Sequence, residues 1–167
     1  MHTQFYHSPA GSLLIAADSS AIRLCDWTVS RRFGAHLAAL GLPDSPGDDP
    51  SELTEAAAAT LDDYFAGLNP TFDLPLSPYG TDFRREVWNM LHTVPYGATA
   101  SYGDIARALG RPSAVRAVAA AIAANPVSIF IPCHRIVGAG GAMTGYAGSV
   151  ESKRLLLGLE AGGTLRI

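Results

Sequence analysis

Between Asn69 and Gly80 the chain reads NPTFDLPLSPYG, with three prolines in twelve residues. Proline lacks the backbone N–H and fixes φ, so neither a helix nor a central strand runs through such a stretch. It predicts two units joined by a linker, 1–76 and 77–167, in a chain of 167 residues. That length can bury roughly two-thirds of its unfolded surface without disulfides. Hydrophobic residues make up 48% and charged residues 16%, which excludes extended disorder. No apolar run approaches the ~18 residues of a membrane span, and the start MHTQFYHSPAGSLLIAAD lacks the order of a signal peptide. Two cysteines, Cys25 and Cys133, with no export signal, fit a reduced, cytoplasmic setting.

The net charge of -3 at first speaks against nucleic acid. Its distribution does not. Residues 1–76 carry Arg23, Arg31 and Arg32 against ten acidic groups, a net of -7. Residues 77–167 carry nine basic groups against five acidic ones, a net of +4, and Lys153 is the only lysine among them. Such asymmetry between halves is a sign of nucleic-acid contact, although an unevenly charged solvated surface would look the same.

The first half predicts an antiparallel meander, QFYHS, SLLIAAD and IRLCDWTV, punctuated by Pro9-Ala10-Gly11 and Ser19-Ser20. A short helix is expected over Arg31–Leu40. Ser51 opens a longer one, with Leu53, Ala57, Leu61 and Tyr64/Phe65 on one face and Gly67 at its end. The second half is mainly helical. Thr81 can cap a helix to His92, Ser101 one over Tyr102–Leu109, and Ser113 one over Ala114–Ala124, stopped by Asn125-Pro126. Two short helices joined by Gly110-Arg111-Pro112 form a helix-turn-helix pattern. An apolar run, Val127–Ile131, and a Gly-rich loop, Gly138–Gly148, precede a last helix over Ser149–Glu160.

A cysteine is ordinarily a buried small hydrophobe, and Cys25 is read so. Cys133 differs, because Pro132 precedes it while His134 and Arg135 set an imidazole and a cation beside it in sequence. The thiolate is the nucleophile, and such neighbours favour its formation. No second cysteine or histidine lies at ligand spacing for zinc.

Asn125-Pro126, Pro132-Cys133-His134-Arg135-Ile136-Val137-Gly138 and Thr144-Gly145-Tyr146 resemble one family, the O6-alkylguanine-DNA alkyltransferases, or methylated-DNA–protein-cysteine methyltransferases. The resemblance extends through Gly80–Phe83, Val87-Trp88, Val94–Gly97, Ser101–Ala106, Arg116–Val118 and Lys153…Leu159-Glu160, covering nearly all of residues 80–160. The first half is similar only loosely, in its strands and in Tyr64-Phe65-Ala66-Gly67.

The resemblance implies a ribonuclease-H-like antiparallel sheet with a helix, followed by a mainly α domain with a helix-turn-helix. It implies that Cys133 accepts, once per molecule, an alkyl group from O6-alkylguanine in duplex DNA, and from O4-alkylthymine as well. His134 would take the thiol proton through a water, with Glu160 holding its other nitrogen. Asn125 would link this network to the helix end, and Tyr102 would donate to N3 of the leaving base. The carbonyls of Cys133 and Ile136 would read the exocyclic amine, the Ala147 N–H would face O6, and Ile122 and Tyr146 would wall the pocket. Arg116 would replace the extruded base in the minor groove, with Ala114 allowing close approach. Arg111 and the backbone near Gly103 would meet phosphate. Arg135 is assigned to a structural ion pair.

No cofactor is implied, and no ligand set is evident for the zinc that some members bind. A monomer is expected, with cooperativity on DNA left open. The chain departs from the family pattern at Arg84, Val115, Ala119 and Ala147, none of which is a proposed catalytic group. The alternative is a non-catalytic alkylguanine-recognition protein of the same fold, and such relatives lack the nucleophilic cysteine.

Overall fold

A computed structural model of the protein describes residues 1–68 and 70–162. Three strands open the chain, β1 (His2–Ser8), β2 (Gly11–Ala17) and β3 (Ile22–Trp27). They pair antiparallel in the order β1-β2-β3, with Phe5 opposite Leu14 and Ile15 opposite Cys25. From Leu13 to Ala17 β2 is buried on both faces, which explains why its sequence is an unbroken apolar run instead of an alternation. Leu13 and Ile15 enter the main core beside Trp27, while Leu14 and Ala16 pack with Leu37 of α1 (Phe33–Ala39). The helix is bound to the sheet by a buried pair, His36 Nδ1 to Asp26 Oδ2 at 2.7 Å.

Helix α2 (Glu52–Phe65) begins with a reciprocal cap in which Thr54 N donates to Ser51 Oγ and Ser51 N donates to Thr54 Oγ1. It ends where Gly67 takes a φ of +79°, the left-handed conformation that glycine reaches without penalty. The buried face carries Ala57, Leu61, Tyr64 and Phe65, as the spacing predicts.

The expected linker includes Asn69, which lies outside the described residues, but the rest of it is no free tether. Ile22 N donates to Pro75 O at 2.8 Å and Ser77 N donates to Ile22 O at 2.9 Å, so residues 75–77 run along the outer edge of β3. A proline fits there because it can offer a carbonyl to an edge without needing a donor. Farther along the same edge, Cys25 N donates to Pro126 O at 2.9 Å and Ser128 N to Cys25 O at 2.6 Å. Across the sheet, Thr3 and Asp49 exchange both backbone bonds beside β1, at 3.1 and 2.7 Å.

In the second half, α3 (Asp82–Leu91) is capped by Thr81, and α4 (Tyr102–Ala108) by Ser101. The chain continues through α5 (Val115–Ala123), a 3-10 turn over Cys133–Arg135, and α6 (Val150–Glu160), capped by Ser149. Two short strands, β4 (Ala100–Ser101) and β5 (Ile136–Val137), pair in parallel and were not expected, since two residues carry no periodicity. The start of α5 corrects the expectation for Ser113. Its cap is Ala114, with no side-chain hydrogen bond, because a turn in which Ala114 N donates to Arg111 O at 2.9 Å holds Ser113 before the helix. Helices α3 and α5 are locked together by Trp88, whose indole Nε1 donates to Ala121 O at 2.8 Å.

The segment that delivers Cys133 is strained and clipped. Ile129 is fully buried at a φ of +71°, a conformation costly for a β-branched residue. Asn125 closes the loop around it: Nδ2 donates to Ile131 O at 3.0 Å, and Val127 N donates to Oδ1 at 2.9 Å. Replacing Asn125 by Ala leaves Val127 N buried and unpaired and removes one of the two bonds to Ile131 O, which still accepts from Cys133 N at 2.8 Å. The expected cost is about 1–3 kcal/mol, read as a lower urea midpoint at unchanged slope.

Candidate active site

Cys133 opens the 3-10 turn that follows Pro132 and is 6% exposed. It lines a cavity of about 570 Å³ together with Tyr102, Ile122, Asn125, Tyr146 and Ala147. Those six expected residues therefore meet in one place, drawn from α4, α5, the segment just after it, the 3-10 turn and the Gly-rich loop. Burial pushes the Cys133 thiol up to about 11, against which the Asn125 amide and the Lys153 ammonium act. The sulfur is therefore a protonated thiol at neutral pH and needs a base.

His134 is fully buried next to it. Its Nε2 lies 2.6 Å from Glu160 Oε1, near the end of α6. Burial holds the imidazole below its ordinary value, although Glu160 pulls the other way, so the ring is neutral at pH 7. Among the described residues its Nδ1 has no hydrogen-bond partner. Burial by itself would raise the Glu160 carboxyl, but the bonds and charges of His134 and Arg135 outweigh it and hold the group at about 2. Arg135 grips Glu160 at both oxygens, Nε to Oε2 at 2.9 Å and NH2 to Oε1 at 3.0 Å, and donates a third bond to Val94 O at 2.8 Å.

Three groups in the site escaped the sequence reading. Tyr64 reaches in from α2, donating its hydroxyl to Glu160 Oε1 at 2.8 Å. Lys153 is 1% exposed and donates Nζ to Ile136 O at 2.6 Å. Burial lowers its ammonium, and the Cys133 sulfur acts to raise it. Ile136 is not among the residues that line the cavity, and its carbonyl accepts the bond from that lysine. The third group is the far wall, Val29–Arg32, where the acidic half sets two of its three arginines. The one signal open to the sequence was that Lys153 is the only lysine of the chain; neither its burial nor its place beside the cysteine turn is a local property.

The loop wall rests on the sheet. Trp27 Nε1 donates to Tyr146 OH at 3.1 Å, and the two rings meet edge to face at 6.0 Å. A Cβ at Gly148 would fall 2.9 Å from Trp27 Cδ2, so only glycine lets the loop settle there. Tyr102 pairs its hydroxyl with Thr144 Oγ1 at 2.8 Å. Among the described residues no cluster of three or more His, Cys, Asp or Glu is arranged to hold a metal ion, and no helix is long and apolar enough to cross a membrane.

Arg116 stands exposed in the first turn of α5, next to Val115, which is 38% exposed. Ala114 is half-buried at the cap and Gly103 half-buried in the first turn of α4. Arg111 is engaged within the protein, 3.3 Å from Glu86 and stacked over the Phe83 ring. Both partners of that pair are about half exposed, so solvent weakens it and a stronger anion can compete.

Residues 1–78 match the family described as 6-O-methylguanine DNA methyltransferase, ribonuclease-like domain, and residues 82–162 match its DNA binding domain. The methylated-DNA–protein-cysteine methyltransferase of Methanosarcina acetivorans is 39% identical over 160 residues, spanning 96% of this chain and 98% of the relative. The constitutive Bacillus subtilis protein of the same name is 52% identical over 105 residues, 62% of this chain and 64% of that protein. Among solved structures, Mycobacterium tuberculosis OGT in complex with DNA superposes with a TM-score of 0.83 at 38% identity, covering 98% of this chain and 95% of that one. The O6-methylguanine-DNA methyltransferase of Pyrococcus kodakaraensis shares the fold, with a TM-score of 0.67 at 24% identity over 95% of this chain and 98% of that one. Matched in both halves and along nearly the whole of a relative, the chain belongs to the 6-O-methylguanine DNA methyltransferase family.

Proposed function

We propose that this protein repairs O6-alkylguanine in duplex DNA by moving the alkyl group onto its own Cys133, once per molecule. The observation that carries the reading is a protonated thiol at the wall of a cavity with room for a base, followed directly by a neutral histidine bound to a buried carboxylate. His134 Nδ1 takes the thiol proton through a water, and Glu160 stabilises the imidazolium that forms. The sulfur attacks the alkyl carbon as the carbon–O6 bond breaks. Its electron pair flows into the purine, and Tyr102 protonates N3 so that a neutral base departs. His134 then gives up its proton to water and Tyr102 regains one from water, so that in sum one proton passes from thiol to guanine and the alkyl group to sulfur. The thioether is not cleaved back to the thiol, so one protein repairs one lesion.

The target lies within the stack, and rotating it out costs a few kcal/mol. Arg116, exposed and cationic at the start of α5, fits the vacated space, while Ala114 and Gly103 let the backbone approach the minor groove. The groove's degenerate pattern suits a protein that must act at any sequence. Arg111 can exchange Glu86 for a phosphate. A net of +4 in residues 77–167 fits moderate, salt-sensitive affinity. A reduced cytoplasmic setting keeps the Cys133 thiol ready, and a monomer suffices because the cavity is built within one chain.

Three measurements test this. Duplex DNA labelled on an O6-methylguanine is expected to pass its label to the protein in a one-to-one ratio, and Cys133→Ser to pass none while still binding DNA. Many turnovers per molecule would overturn the reading. The transfer rate is expected to be flat from pH 8 to below about 6.5, the ordinary histidine value. It falls only under that point, because protonation removes the base and burial has lowered the pH at which this happens. Arg116→Ala is expected to slow transfer from duplex at least about tenfold, corresponding to part of the flipping cost, and to leave transfer from single strands little changed.

A further inference from the structure

We infer that Tyr64 is a positioning residue for the transfer: its hydroxyl, carried by α2 in the first half of the chain, fixes which nitrogen of His134 is the base. The inference rests on the reading above that His134 takes the Cys133 proton. Glu160 Oε1 accepts from His134 Nε2 at 2.6 Å, from Tyr64 at 2.8 Å and from Arg135 NH2 at 3.0 Å. Oε2 accepts from Arg135 Nε at 2.9 Å and from Gly97 N at 3.4 Å. An ionised carboxylate offers about four lone-pair sites, so this one has no room to turn.

The Tyr64 oxygen also lies 3.4 Å from His134 Nε2. Its proton is committed to Glu160, which can only accept, so the oxygen presents a lone pair to the imidazole. Nε2 thus faces two acceptors, a carboxylate and a hydroxyl oxygen, and must carry the hydrogen. The lone pair is left on Nδ1, the nitrogen without a protein partner among the described residues. The ring of Tyr64 has a separate role, packing edge-on against Phe65, Tyr96 and His134. Phenylalanine would keep that packing and delete only the hydroxyl.

The titratable and charged groups around His134 are Glu160 and Lys153 of α6, its chain neighbours Cys133 and Arg135, and Tyr64 of α2. Removing the hydroxyl leaves Oε1 with one donor fewer, so it holds a protonated imidazole more tightly. The pH at which His134 ceases to be a base rises, and the ring is less firmly oriented above that pH.

The experiment compares transfer from O6-methylguanine duplex against pH for the wild type and Tyr64→Phe, with nitrogen-15 NMR of the histidine ring. The low-pH limb is expected to move up by about half a pH unit to one unit, and the plateau to fall about three- to tenfold. The His134 resonances are expected to show a new fraction protonated at Nδ1. Placing 3-fluorotyrosine at position 64 keeps the shape and makes the hydroxyl a stronger donor, so the limb should move the other way. A folded Tyr64→Phe protein with wild-type limb, plateau and tautomer overturns the inference. Where that variant does not fold, an unmoved limb in the fluorotyrosine protein overturns it. A wild type that transfers nothing overturns the transfer reading instead, which separates the two failures.

Discussion

The buried carboxylate of Glu160 is the junction on which the second half of the molecule depends. Taking an ion out of water costs several kcal/mol, and only donors on every side offset that. Here they come from four residues in three separate segments: Arg135 and His134 from the 3-10 turn, Gly97 from the loop after α3, and Tyr64 from α2. Each donor is backbone or a side chain anchored by packing, so the charge is also a geometric constraint. The turn that presents Cys133 cannot shift without breaking bonds to a group that has no access to water. In the proposed transfer, structural need and chemical need coincide at this residue, and a single glutamate serves both.

The cavity follows a similar logic. Its floor and one wall belong to the helical half, yet the loop carrying Tyr146 and Ala147 lies on Trp27 of the sheet, and Val29–Arg32 close the opposite side. The acidic half therefore does more than raise solubility or support the fold: it shapes the space around the sulfur. The charge division between the halves remains, but the two basic side chains at Arg31 and Arg32 sit at the boundary where the acidic unit meets the cavity.

Much of this was readable in the chain. The caps at Ser51, Thr81, Ser101 and Ser149 announce four helices, because a hydroxyl that satisfies an early N–H is a local device. The motif around Cys133 pointed to the nucleophile and, through resemblance, to His134 and Glu160. What escaped was non-local. Tyr64 lies 70 residues from His134 and looks like any other aromatic on an apolar helix face. Lys153 reads as a surface cation on an amphipathic helix until its ammonium is found against Ile136 O. The cap at Ser113 failed because the turn around Pro112 delays the helix, a competition that propensity does not weigh. The prolines of the supposed linker were read as breaking structure, whereas the Pro75 carbonyl pairs with β3.

The strip of chain along β3 has a further meaning. An exposed strand edge is a template on which another molecule can add a strand, and sheets of three strands have two such edges. Here Pro75–Ser77 and Pro126–Ser128 occupy one edge, and Asp49 covers the start of the other. The molecule is thereby its own blocker. Proteins crowded side by side on a polymer meet their neighbours at high local concentration, where an open edge would invite chain-to-chain pairing. This sheet offers them little to join.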